Sequence, residues 1–467
     1  MKPSPKPPLA LIPALILAAT MLSAQSTTLR PNPEEPDTAA AGPLDTGTGM
    51  DGGEMDLTME EGPAGGTSVV PADAGFWRKW IREPLRLTVK HEISEKVQSP
   101  VHIRNNRSSV RAEYAKYLLG NFFVQADYKL TAHLNRDHFA VAKEESVAWE
   151  QTLREAFLQA SAYGTSLKLG YQILVWGESD AAGAITDEIS PRNYSELFFV
   201  SQEESRIGQP MATLSQYTRW GEWSLVFVPF PAYNKMPGVG TAYWFDPFGG
   251  MPVRKAERPA QDDFEYGARW KKALGRSDIS LMGGSLMDND PVFRFAGDTV
   301  REENLRFAFA GAAFNYSLEN LLVKGELAAK HPKAFMTADG RTLEKPEVDG
   351  SLGFEFSRGG TFSLGLEAVH NRVLRWDPAI QGVPEATNAL VLIAGDRFLN
   401  ENLSVNLLTR YSEPYTTVMN IFAASYKLND NVTLELEGHF PYVDDERSST
   451  WMYRDQKQAV FRWQLQL

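Results

Sequence analysis

Residues 122–134 read Phe-Phe-Val-Gln-Ala-Asp-Tyr-Lys-Leu-Thr-Ala-His-Leu. Phe122, Val124, Ala126, Tyr128, Leu130, Ala132 and Leu134 take every second position, and Gln125, Asp127, Lys129, Thr131 and His133 fall between them. That period of two belongs to a strand with one apolar and one polar face. The pattern returns at Leu167, Leu169, Tyr171, Ile173 and Val175, opposite Lys168 and Gln172. It returns again at Phe264 to Trp270 and at Phe362 to Ala368. The chain ends on Ala459, Phe461, Trp463, Leu465 and Leu467, alternating with Val460, Arg462, Gln464 and Gln466.

Alternation alone fits a soluble sandwich as well as a barrel, and the connections decide between them. Eighteen such segments fit between residues 85 and 467, sixteen being the competing count. Tight turns fall at Gly120-Asn121, Gly164, Gly221, Gly275, Asn320, Gly359-Gly360 and Asn429-Asp430-Asn431. Between them come longer links, including 135–151, 177–210, 230–262 and 441–458, and only Glu413-Pro414-Tyr415 breaks the rule by being short. Short turns at one end and long loops at the other predict a transmembrane antiparallel up-and-down β-barrel of the outer-membrane type. Closure satisfies every backbone N–H and C=O without water. Trp176, Trp220, Trp223, Tyr316, Tyr411, Tyr426 and Trp451, near strand ends, suit interfacial girdles.

Composition is consistent with this. The 467 residues are 43% apolar and include no cysteine, which excludes disulfides, thiolate metal sites and a lipid-modified N-terminal Cys. No strongly basic balance points to nucleic acid. Residues 1–24 read as an export signal, with Lys2 and Lys6 before an apolar run from Leu9 to Leu22. Residues 25–75 form a Pro/Gly-rich acidic linker that has too little apolar surface to order. The stretch from Thr27 to Gly75 holds ten acids against Arg30, and so carries −9 of the formal charge of −12. Residues 76–467 are the barrel, opening on Phe76-Trp77-Arg78-Lys79-Trp80-Ile81, an aromatic and basic segment suited to a membrane interface.

One stretch is more specific. Leu153-Arg154-Glu155-Ala156-Phe157, Leu167 to Gln172 and Val175-Trp176-Gly177-Glu178-Ser179-Asp180 are followed by Asp187, Ser190-Pro191-Arg192, Arg206 and a Pro-rich loop from Phe230 to Gly238. This resembles the signature hairpin of Gram-negative outer-membrane barrels of unknown function, a family similar to the alginate-export porins. The resemblance covers roughly residues 150–245. Those families commonly carry Gly-Arg-Gln where this chain has Gly170-Tyr171-Gln172, so no role of that arginine carries over. The resemblance implies a setting beside an RND-type exporter or a periplasmic lipid carrier.

No Gly-x-Ser-x-Gly, phosphate loop or His-Glu-x-x-His is present, and the seven histidines are dispersed. No catalytic residue, metal or cofactor is therefore assigned. With the apolar faces given to lipid, the opposite faces carry Lys168, Gln172, Arg269, Glu435, Glu437 and Arg462, among others. An ion facing hydrocarbon would cost about 2–4 kcal/mol at the midplane, so these must face the lumen. Most read as opposite charges that brace the wall, with no basic ladder evident. The loop 177–210 is a candidate constriction carrying Trp176, Gly177, Glu178, Asp180, Asp187, Pro191 and Arg206, with Arg206 set to pair with Asp187 or Glu204. Its acids would favour cations, and its patch Leu197-Phe198-Phe199-Val200 would pack either against the wall or against neighbouring loops. The expectation is a porin-like channel or export conduit for a solute, polysaccharide or lipid. Two alternatives stay open: a plugged barrel serving an export machine, and a rim hydrolase. Outer-membrane lipid and the barrel assembly machinery, which engages the last strand, are the general partners.

Overall fold

The computed structural model describes residues 75, 78–118, 120–179, 185–200, 202–255, 263–337 and 339–467. The expected signal, the acidic linker up to residue 74, Phe76, Trp77 and Asp180 lie outside the described residues.

The first half of the barrel comprises β1 (Leu85–Lys96), β2 (His102–Leu118), β3 (Phe122–His133), β4 (Ala148–Ala162), β5 (Thr165–Gln172), β6 (Gln209–Thr218) and β7 (Gly221–Val228). After the short β8 (Val253–Lys255) come β9 (Glu265–Leu274) and β10 (Ser277–Met287), then the hairpin β11 (Val292–Ala296) and β12 (Thr299–Glu303). The wall continues with β13 (Arg306–Leu318), β14 (Leu321–Met336), β15 (Thr342–Arg358), β16 (Phe362–Val373) and β17 (Ala386–Phe398). It ends with β18 (Leu403–Glu413), β19 (Thr417–Lys427), β20 (Val432–Val443) and β21 (Gln458–Gln466). Eighteen of these form one sheet in which each strand pairs antiparallel with its neighbour along the chain. The sheet closes because β1 pairs with β21, Thr88 facing Gln466 and Lys96 facing Gln458. No edge is left in the ring, so no row of backbone groups meets lipid unpaired.

The stretch 122–134 behaves as its period dictates. In β3 Asp127 and Thr131 are buried in the interior, while Phe122 and Tyr128 are exposed on the outer face. Around the ring the outer face is apolar, with Leu169, Leu225, Leu281, Leu327, Leu366 and Leu436 all exposed. An apolar belt of that extent requires lipid against it.

Two local readings change. The links between β1 and β2 (residues 97–101) and between β14 and β15 (residues 337–341, expected as a long loop) are each only five residues, so with Glu413-Pro414-Tyr415 three connections at the loop end are short. Strand β2 begins at His102 because residues 102–107 pair with Glu92–Lys96 across a register shift, although their mostly polar sequence shows no apolar period. Trp176 lies beyond the end of β5 and is 3% exposed, so it is no part of an interfacial girdle. Trp220, Trp223, Tyr316, Tyr411 and Tyr426 are exposed. At the loop end, β8 pairs parallel with β12 to make a three-stranded cap. Phe248, Val292, Phe293, Val300 and Met336 pack beneath it.

Candidate functional site

The connection between β5 and β6 runs for 36 residues, 173–208, and enters the barrel. It leaves the wall at Ile173, whose N–H donates to Glu155 (3.0 Å), and turns on Leu174, whose N–H donates to the Ser190 hydroxyl (2.8 Å). The Trp176 ring then lies against β9 where only glycine fits. A Cβ on Gly267 would stand 2.9 Å from that ring.

Most of the first limb's hydrogen bonds to the far wall converge on one carboxylate. Glu326 of β14 accepts from the backbone N–H of Glu178 (2.6 Å), Ser179 (2.5 Å) and Thr186 (2.8 Å), and from the Thr186 hydroxyl (2.9 Å). The Ser179 hydroxyl donates to Glu367 of β16. Glu178 pairs with Lys271 of β9 at 3.3 Å and accepts from Asn315 at 3.1 Å. Glu188 reaches Lys330 at 2.6 Å.

The return limb crosses to the opposite side. Glu196 meets Arg107 of β2 in a two-pronged pair and also accepts from Asn105 (3.2 Å), with His138 at 3.3 Å. Glu204 lies between Lys90 of β1 (2.8 Å) and Lys129 of β3 (2.9 Å). Burial alone would push both carboxyls up. Arg107 and His138 at Glu196, and Lys129 and Lys90 at Glu204, more than offset it and hold both well below the usual carboxylate range. A carboxyl lowered by folding stabilises at all pH above its ordinary value and loses that effect only as pH falls through its folded value. These anchors therefore persist through the neutral range.

Within the loop, Asp187 binds both Arg206 and Arg192 (3.3 Å), and residues 192 and 206 bridge antiparallel. The Pro191 carbonyl accepts from Ile207 N–H at 2.9 Å. Trp176, Ile185, Ile189, Leu197 and Phe199 form one buried cluster with inward-facing Val391, Ile393, Leu408, Met419 and Ile421 of β17 to β19. Phe199 also stacks near Tyr243 and His439, with centroids 5.3 and 4.9 Å away.

The remaining named residues face the lumen on alternating positions. Lys168 lies 5.0 Å from the Phe157 ring, and the Gln172 amide donates to the Met211 carbonyl at 2.8 Å. Arg269 is 3.8 Å from Glu222. Arg462 gathers Glu92, Glu437 and, at 3.9 Å, Glu435, so these four join β1, β20 and β21 across the closing seam. Gly177 lies on the first limb beside the Glu326 anchor.

The structure gathers Trp176, Glu178, Asp187, Pro191 and Arg206 into one element and leaves Arg269, Glu435, Glu437 and Arg462 on the wall around it. Sequence reading missed Asn105 and Arg107 as loop anchors, because the mostly polar stretch that opens β2 shows no apolar period. His138 belongs to α1 (His138–Ala142), a turn capped by Asp137, whose side chain accepts from Phe139 N–H. The Asp137-His138 pair was a legible cap signal.

The arrangement is a peptide strut across the bore. Each described acidic side chain of the loop (Glu178, Asp187, Glu188, Glu196 and Glu204) has a basic partner within 4.0 Å. The described acids of the loop therefore present no free acidic row.

The family model described as protein of unknown function (DUF1302) matches residues 102–437. No curated protein sequence is detectably similar to the chain. Among solved structures, Acinetobacter baumannii OccAB2 aligns with a TM-score of 0.51 at 8% identity, covering 83% of this chain and 99% of that one. Pseudomonas aeruginosa OccK9 (OpdG) aligns at 0.50 and 11% identity, over 83% and 98%. OccK8 (OprE) of the same organism aligns at 0.50 and 10%, over 83% and 99%. Identity this low shows the fold, that of outer-membrane porin barrels. The match from residue 102 to residue 437 takes in most of the chain, which therefore belongs to the DUF1302 family of unknown function.

Proposed function

We propose that this barrel sits in the outer membrane as a porin-like channel or export conduit whose bore is narrowed, and closed at rest, by the loop 173–208. The observation that carries the reading is the anchoring of one loop to both sides of the lumen, at Glu326 and Glu367 on one side and at Lys90, Arg107 and Lys129 on the other. A surface cap would not need anchors on strands so far apart in the ring. Gly177, Asp187, Pro191 and Arg206 serve here as the frame of the strut. The solute class is a small solute, a polysaccharide or a lipid.

One observation favours a second reading. Val391, Leu408, Met419 and Ile421 are inward-facing yet 0%, 3%, 1% and 6% exposed, because the loop packs on them. An apolar seat of this kind suits a permanent plug, in a barrel acting as the outer-membrane partner of an RND-type exporter or a periplasmic lipid carrier.

Planar-bilayer recordings separate the two. Replacing residues 181–203 by a short Gly-Ser bridge removes the crossing part of the strut and leaves every wall strand intact. The channel reading expects rare small steps from the parent and a several-fold larger conductance from the shortened chain. Indistinguishable conductance in the two would reduce the loop to a cap, a parent silent at every voltage whose shortened form conducts would favour the plugged barrel, and silence from both would overturn the channel reading.

A further inference from the structure

The segment Arg78–Arg82, Arg-Lys-Trp-Ile-Arg, precedes β1 and is exposed along its whole length. Register tells which surface it covers. Leu85, Leu87 and Val89 of β1 face Tyr114, Ala112 and Val110 of β2, and Val110 is 45% exposed on the outer belt. Tyr114 and Lys116 share that face, just before the turn at Gly120. Both hold the segment: the Tyr114 hydroxyl donates to the Trp80 carbonyl (3.1 Å), and the Lys116 ammonium donates to the Lys79 carbonyl (2.5 Å). The same ammonium lies 4.7 Å from the Trp80 ring centroid.

A strap is thus laid over the outside of the barrel at its turn end, not in its mouth. It gathers Arg78, Lys79, Arg82 and Lys116 around Trp80 and Ile81, which remain 37% and 38% exposed. Glu83 is the nearby acid, pairing with Arg78 at 3.1 Å, but the Arg78 side chain is still 76% exposed. An exposed pair of this kind consumes little of its charge. With an even number of strands the turn end is the periplasmic end, so the strap meets the periplasmic leaflet at headgroup depth. An indole in the interface with cations beside it is the arrangement that attracts anionic lipid.

We propose that Arg78, Lys79 and Arg82, with Lys116 and Trp80, form a binding site for the phosphodiester headgroup of an anionic phospholipid in the periplasmic leaflet. This rests on the outer-membrane reading but not on conduction. The strap leads directly into β1, the strand that closes the ring against β21, so a bound headgroup tethers the closing strand.

The test is native mass spectrometry of the purified barrel doped with equal amounts of phosphatidylglycerol and phosphatidylethanolamine. The parent should retain phosphatidylglycerol in about tenfold excess, and R78Q/K79Q/R82Q should bring the two lipids to parity. W80A should reduce retention of both. Heat-modifiable gel mobility verifies that each variant is folded. Equal retention by the parent, or an unchanged excess in a folded triple variant, overturns the proposal. So does loss of the excess on adding inorganic phosphate, which would make this a soluble-anion site. A barrel silent in bilayers but selective for phosphatidylglycerol would refute the channel and leave the lipid site standing.

Discussion

Glu326 is the residue on which the first limb of the strut depends. Three backbone N–H groups and one hydroxyl converge on its carboxylate, and hydrogen bonds to a charged group contribute about 1.5–3 kcal/mol each when made and cost as much when lost. Glu326→Ala should therefore raise the frequency of channel openings at least tenfold while the folded barrel persists on gels; unchanged gating would remove Glu326 from the anchoring role. Asp290, in the link after β10, offers a pH readout. Burial, with Asp288 beside it, pushes its carboxyl up to about 7, although Lys333 and the Asn234 amide (2.7 Å) pull the other way. A carboxyl raised by folding is a liability once ionised, so stability falls as pH rises from the ordinary carboxylate range to about 7 and is level above it. The temperature at which folded mobility is lost should drop between pH 5 and pH 8, and Asp290→Asn should flatten most of that drop. An equal drop in both proteins would show that other groups govern the rim.

Among the elements, β21 carries the closure. Removing Trp463–Leu467 deletes the partners of Thr88 to His91 on β1 and of Val432 to Leu434 on β20. Both neighbours would then expose unpaired backbone to hydrocarbon, where each orphaned group costs several kcal/mol. The truncated chain should yield no heat-modifiable species in outer-membrane fractions, and a normal yield would contradict the pairing. The loop 173–208 differs in kind, since its removal costs the wall no ladder bond. That difference is why one truncation is expected to abolish the fold and the other only to change conduction.

At the scale of the whole molecule, the charge of the chain says little about what passes through the lumen. Most of the net −12 belongs to residues 27–75, and the described acids of the strut are matched by Lys90, Arg107, Lys129, Arg192, Arg206, Lys271 and Lys330. The acidic loop read from the sequence implied cation preference. The pairing instead leads us to expect a reversal potential close to zero in a tenfold KCl gradient, with cation and anion permeabilities within about twofold, since paired charges produce only a weak field in the lumen. A strong cation preference would mean that unpaired acids line the path.

The sequence by itself determined the barrel: its strands, its eighteenfold count, its two unlike ends and the inward side of each strand. All of these follow from a period of two and from the spacing of turns, which are local properties. It missed the start of β2, where polar residues 102–107 have a strand's pairing without a strand's apolar period. It also carried the materials of the strut, Asp187 with Arg206 and the patch around Leu197 and Phe199. Only the tertiary structure decided that Glu326 and Arg107, residues of separate strands, hold that loop from both sides of the lumen. It also removed Trp176 from the girdle and set its ring against Gly267. The physical reason is distance along the chain. Closing the ring brings residue 178 to residue 326 and residue 196 to residue 107, and no periodicity records which inward carboxylate a crossing loop will meet.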